Sequence, residues 1–274
     1  MSISPPRYTA TSRVRRGRPY RMLTMFSHEF RQRWGLATAF ILVLAYLALI
    51  ITVAIPVLLA PPGGASLADF RGLYGSPIWP FLTLLIAAAA GAGSLADDLG
   101  SRAITLYLSR PILLLDYLSA KAASVALWVA LVAVGPGLVS VLVIYLLGAV
   151  PAATAFAAAL AFLAVGLAST IFFTGLSLAF SAATSKSLYA GAGIFGLTLS
   201  LTGGVAAVTA VSSNPTVRYL DPLTDIQSVA GAAFRSGGVP ATDPALSAIL
   251  LVAVGLVLGV GAWLRLERVE VVGE

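Results

Sequence analysis

Ala153–Phe180 reads ATAFAAALAFLAVGLASTIFFTGLSLAF and holds no Asp, Glu, Lys, Arg or His. A helix crosses the hydrocarbon core of a bilayer with about 20 apolar residues, each adding about 1.5 Å. This run is long enough to span, and it lacks the apolar/polar alternation of a lipid-facing β-strand. Five further uncharged runs share its character: Leu36–Leu59, Pro77–Ala96, Ala122–Leu147, Ser187–Val211 and Ala245–Leu264. The expected fold is an all-α membrane protein with six transmembrane helices.

Composition agrees. Of 274 residues, 59% are hydrophobic and 10% charged, and the mean hydropathy is +0.95. A soluble domain carries about 25% charged residues, so this chain has too little charge to coat a water-facing surface. It has no cysteine, which excludes disulfides, thiol catalysis and cysteine zinc sites. His28, the single histidine, excludes a multi-histidine metal centre.

Basic residues set the expected orientation. Arg7, Arg13, Arg15, Arg16, Arg18, Arg21, Arg31 and Arg33 precede the first span. With that segment in the cytoplasm, six spans return the C-terminus there too. Arg102, Arg110, Lys121, Lys186, Arg265 and Arg268 then also lie inside. Only Arg71, Arg218 and Arg235 of the 17 basic residues lie outside. This is the pattern of a multi-pass membrane protein with both termini in the cytoplasm. Topology and anionic headgroups account for the net charge of +6, with no need of nucleic acid.

Residues 1–20 read as a disordered basic tail, 21–264 as the six-span domain and 265–274 as a second cytoplasmic tail. The basic segment and the long first run fit a retained span rather than a cleaved signal. Met22, Phe26, Phe30 and Trp34 recur every four residues, which predicts a helix either in the headgroup plane or extending the first span into the cytosol. Gly135-Pro136-Gly137 should bend the third run, as a hinge or as a static kink. Gly255 and Gly259 form a small-residue pair suited to close helix packing, within the subunit rather than at a dimer contact, though the pattern serves either. Ser212–Pro244 is long and carries apolar anchors, so it should hold one or two short helices, with Asp221-Pro222 opening one. No Asp, Glu, Lys, Arg or His falls inside the six runs, which argues against a proton-driven carrier.

One compact charged stretch interrupts this pattern on the inner side. After Asp97, Asp98 and Arg102 comes LYLSRPILLLDYLSAK, Leu106–Lys121. From Asp98 to Ser109 a helical wheel puts Leu99, Ala103, Leu106 and Tyr107 on one face, with Ile104 and Leu108 widening it. Asp98, Ser101, Arg102, Thr105 and Ser109 take the other side. Pro111 disfavours helix at Arg110 and should end the element. Asp116 can start a second helix running through Lys121 into the third span.

The order of residues here resembles the permease subunits of the ABC-2 family. An acidic start (Asp97-Asp98), a middle (Arg102–Leu106), a Leu-Ser-Arg-Pro element (Leu108–Pro111) and a final Tyr-Leu-x-x-Lys (Tyr117–Lys121) follow in the family's order. Ile112–Leu115, where the family has polar or basic residues, and Ala120, where it has Gly, depart from the pattern. The resemblance implies an ATP-driven exporter with two permeases and two ATPases. It makes Asp98, Arg102, Leu106, Tyr107, Ser109, Arg110 and Pro111 the helix that docks on the ATPase. Lys121 and Lys186 are the only lysines, and neither ends a P-loop, so the chain itself holds no cofactor. ATP and Mg²⁺ would be bound by the partner. A non-transporting scaffold or anchor of an ABC-like envelope or maturation complex is the other reading. The residues name no substrate. Phe172, Phe173 and Tyr189 are bulky span residues that could line a path, or could be packed or lipid-facing.

Overall fold

The computed structural model of the protein describes residues 18–55, 59, 66–72, 74, 76, 78–103, 113–212, 214–236 and 241–272. Among them every regular element is helical. They are α1 (Arg18–Gln32), α2 (Leu36–Leu49), α3 (Ile78–Gly91), α4 (Gly93–Gly100), α5 (Leu114–Ala133), α6 (Gly135–Leu146), α7 (Ala152–Ala183), α8 (Ser187–Ser212), α9 (Pro222–Ala233) and α10 (Pro244–Val272). Six candidate spans result: Leu36–Val53, Ile78–Gly100, Leu114–Ala133, Ala152–Ala183, Ser187–Ser212 and Pro244–Arg268.

The opening run is the hub. The 32-residue α7 packs against the second, third, fifth and sixth spans. Its closest partner is α10, and the contact is made by glycines. A Cβ on Gly175 would stand 2.0 Å from the Gly255 carbonyl oxygen, and one on Gly255 would stand 2.6 Å from that of Ile171. Gly255 therefore packs within the chain, as expected from its sequence, whereas a Cβ on Gly259 would meet nothing within 4 Å.

Two spans are broken, each with a side chain seated at the break. The third bends at Val134, just before Pro136, whose missing N–H leaves the Val132 carbonyl without its helical donor. There the buried Tyr74 hydroxyl donates to the Ala133 carbonyl. Tyr74 also packs with Trp79, Phe162 and Phe234, at ring separations of 5.1, 5.3 and 5.9 Å. The second span breaks at Ala92. Ser181 of α7 donates to the Ala92 carbonyl (2.8 Å) and accepts from the Leu95 and Ala96 amides at 2.8 and 2.9 Å. That single hydroxyl satisfies backbone groups that the break would otherwise leave unpaired in the core.

The third span begins at Leu114, eight residues before the uncharged run at Ala122. Asp116 and Lys121 thus lie inside the helix, 7% and 2% exposed. Beyond α8, the segment expected to carry short helices has a 3₁₀ turn at Pro215–Leu220 and then α9. Asp221 caps α9 by accepting from the Leu223 amide (3.1 Å), with Pro222 at the first helical position.

Gly255→Ala should lower stability by about 1–3 kcal/mol, because carbonyls rather than flexible side chains oppose the added methyl. Thermal unfolding in detergent should show this drop while Gly259→Ala leaves Tm unchanged. Equal behaviour of the two variants would contradict the α7/α10 contact.

Candidate functional site

The termini side of the bundle carries a group of charged residues drawn from three segments far apart in sequence. Glu29 comes from α1, Asp98 from the last turn of α4 and Lys121 from the second turn of α5. The Lys121 ammonium pairs with the Glu29 carboxylate, and with Asp98 at 2.8 Å. The Tyr117 hydroxyl donates to the same Asp98 oxygen. Side-chain exposures of 3% for Lys121 and 8% for Glu29 place this ion pair out of bulk water. Beside it, Arg33 pairs with Asp97 at 3.2 Å. A cavity of about 170 Å³ bordered by Thr24, His28 and Lys121 adjoins the cluster.

Local structure explains the convergence. Thr38 donates to the carbonyls of Arg33 and Gly35 and accepts from the Gly35 amide, all at 2.9 Å. These bonds fix a tight corner between α1 and α2, which folds α1 back onto α5. Phe30 then stacks on Trp128 (4.8 Å) and Trp34 tilts against it (5.3 Å). Of the predicted α1 stripe, Met22, Phe26 and Phe30 are half-buried and Trp34 is exposed. Phe30 and Trp34 thus meet the third span as well as pointing along an amphipathic face.

The predicted docking helix needs correction at its start. The helix carrying Asp98 is the continuation of the second span and stops at Gly100. Ser101 and Arg102 form a turn, with Arg102 in the left-handed region at φ 55°. The Ser101 hydroxyl donates to the Asp97 carbonyl (2.7 Å) in that turn. Asp98 therefore belongs to the span and points to Lys121, and one continuous helix from Asp98 to Ser109 does not form. Leu106, Tyr107, Ser109, Arg110 and Pro111 lie outside the described residues. The sequence marked Asp98 and Lys121 by their place in a linear motif, but it missed their partner. Glu29 sits 92 residues from Lys121 and follows no spacing rule. Its one legible signal was an acidic residue beside the apolar stripe of α1.

Two of the three bulky span residues are packed within the chain. Phe172 and Phe173 are 6% and 0% exposed and touch each other at 5.1 Å. Tyr189 is exposed, with the Lys186 ammonium 5.6 Å above its ring.

At the opposite side a second polar group ties α9 to α10. The buried Asp225 carboxylate accepts from Ser247 (2.6 Å) and Thr242 (3.2 Å), and Thr242 also donates to Ser228 (2.8 Å). Burial pushes the Asp225 carboxyl up from its ordinary value. The Ser247 and Thr242 hydroxyls oppose that shift, and nearby Asp221 adds to it.

Two outcomes follow. Lys121→Met leaves two carboxylates facing each other without a cation and should cost about 3–5 kcal/mol. Thermal unfolding should show that loss partly recovered in Lys121→Met/Glu29→Leu, and additive effects would contradict direct pairing. For Asp225, the folded chain holds the carboxyl proton more tightly than the unfolded chain does. Its contribution to stability is complete below the ordinary carboxylate pKa and is lost as pH rises through the elevated one. Asp225→Asn should flatten the fall in Tm as pH rises above the ordinary carboxylate range. An unaltered pH profile would refute this assignment.

The arrangement is a clamp: one cation joins the end of the second span, the first turns of the third and the helix before the first. No curated protein matches the chain. The family model described as ABC-2 family transporter protein matches residues 21–271, from α1 to the end of α10. The chain is a multi-pass membrane protein and belongs to the ABC-2 transporter family.

Proposed function

We propose that this protein is the permease subunit of an ATP-driven exporter, with both termini in the cytoplasm of a prokaryotic inner membrane. Two copies form the path, and two copies of a separate ATPase bind and hydrolyse ATP with Mg²⁺. Family membership supports the subunit type, and the absence of a P-loop supports a separate ATPase.

The observation that carries the mechanism is the position of Lys121. The inner segment leaves the second span after Gly100, two residues past Asp98, and joins the third span at Leu114, two turns before Lys121. The two ends of that segment are thus bonded to each other and to Glu29 of α1. In this reading the ATPase pulls or pushes on Leu106–Pro111. Load applied there passes through the clamp into three helices together, rather than being absorbed by a slack loop. An apolar face with Leu106 and Tyr107 suits docking in a groove of the partner.

The thin cover of the fifth span supports a two-fold assembly. Its membrane window is only 17% buried within the chain, against 56% for the fourth span and 78% for the second. The open face of α8 includes Gly196, Gly203 and Gly204, where an added Cβ would meet nothing within 4 Å. Such a face lets a second copy approach closely.

Co-expression with the ATPase encoded beside it gives the test. The tagged permease should co-purify with that ATPase, and Leu106→Glu or Tyr107→Glu should abolish co-purification while membrane insertion is retained. Full complex formation by both variants, or a stable transporter that works without any ATPase, would contradict the proposal.

A further inference from the structure

A groove of about 470 Å³ runs between α5, α7 and α10. Its walls extend from Leu115 to Ala126 on α5, from Thr170 to Leu178 on α7 and from Gly255 to Trp263 on α10. At about 1.5 Å per residue these stretches are about 12–16 Å long. Half of a hydrocarbon core of about 30 Å is the same length. Leu115 lies where α5 enters the bundle on the termini side, and Trp263 lies where α10 leaves it on that side. The groove therefore starts at the membrane interface near the termini, at a Trp of the kind that anchors there, and runs inward to mid-membrane.

Its lining is predominantly apolar, and no charged residue borders it. Of its three hydroxyls, those of Ser119 and Thr170 donate to the carbonyls of Asp116 (3.0 Å) and Gly166 (2.7 Å), and that of Thr174 has no partner among the described residues. A lining of this kind favours an apolar guest. Nor does the groove have the shape for another spanning helix, which needs a seam across both leaflets and would find this one ending half-way. Its rim on α10 is open to the membrane, since Leu256 and Val260 are 58% and 51% exposed.

We propose that this groove binds one acyl chain of a phospholipid from the leaflet on the termini side. Length, depth, lateral opening and apolar lining each match a single extended hydrocarbon chain. The chain would lie along α5 on the stretch that begins one residue before Asp116 and passes Lys121. Lipid composition would thereby act on the same helix that carries the charge clamp.

The test uses the full-length protein in phosphatidylcholine vesicles containing a trace of phosphatidylcholine with a diazirine in mid-chain. After photolysis, mass spectrometry should find adducts concentrated on the peptides covering 115–126 and 255–263. Gly259→Phe fills the groove from a position where an added Cβ meets nothing within 4 Å, and should lower that labelling. The loss should be about tenfold, as when two methylenes are displaced. Gly196→Phe, equally unobstructed but on α8, should leave labelling unchanged. Adducts spread evenly over the exposed faces of α2 and α8 would overturn the proposal. So would unaltered labelling of Gly259→Phe, or cross-links at 115–126 and 255–263 to a second copy of the chain. None of these readouts depends on an ATPase being present.

Discussion

Burying an ammonium costs several kcal/mol unless carboxylates meet it closely. Lys121 is met by two, and the rest of the termini side is arranged around that requirement. Glu29 reaches it only because α1 folds back at the Arg33–Thr38 corner. Asp98 reaches it only because the second span breaks at Ala92, where Ser181 seats the new helical turn. Tyr117, one turn before Lys121 on α5, holds the Asp98 carboxylate from the other side. Remove the cation and three helices lose the reason for their mutual angle.

The opposite side is organised by aromatic packing and hydroxyl bonds. Tyr74 seats the bend of the third span and joins Phe162 and Phe234, so α9 is held over the bundle by rings as well as by Asp225. Between these two ends runs α7, which supplies Ser181 near one end, Phe162 near the other and Gly175 between them. A long apolar helix touching four other spans suits a protein whose two faces must respond together. The membrane windows of the first, fifth and sixth spans are 24%, 17% and 22% buried within the chain, against 78% for the second.

The spans were legible because uncharged length is a direct consequence of bilayer thickness. The cap at Asp221-Pro222 and the bend near Pro136 were legible because each rests on local backbone chemistry. So was a helix from Asp116 through Lys121 into the third span, whereas the burial of Lys121 was not, because it depends on partners distant in sequence. Charge reads as exposed in sequence, and only the tertiary pairing with Glu29 and Asp98 reverses that. The expected helix from Asp98 failed for a local reason, the turn at Ser101–Arg102 that follows Gly100. Ser181 left no trace in the sequence, being one hydroxyl among many in an apolar run.

On the proposed reading as a dimeric permease driven by a separate ATPase, α1 and α5 move as one body, locked by Glu29 and Lys121, while the two copies shift relative to each other. The chain contains no cysteine, so spin labels can be placed without removing native thiols. Leu23 on α1 and Leu127 on α5 are exposed, as is Leu199 on α8. In the complex with its ATPase, pulsed electron paramagnetic resonance should give the same Leu23–Leu127 distance within one copy before and after ATP is trapped. The Leu199–Leu199 distance between copies should change. A nucleotide-driven change in Leu23–Leu127 with Leu199 static would contradict the account.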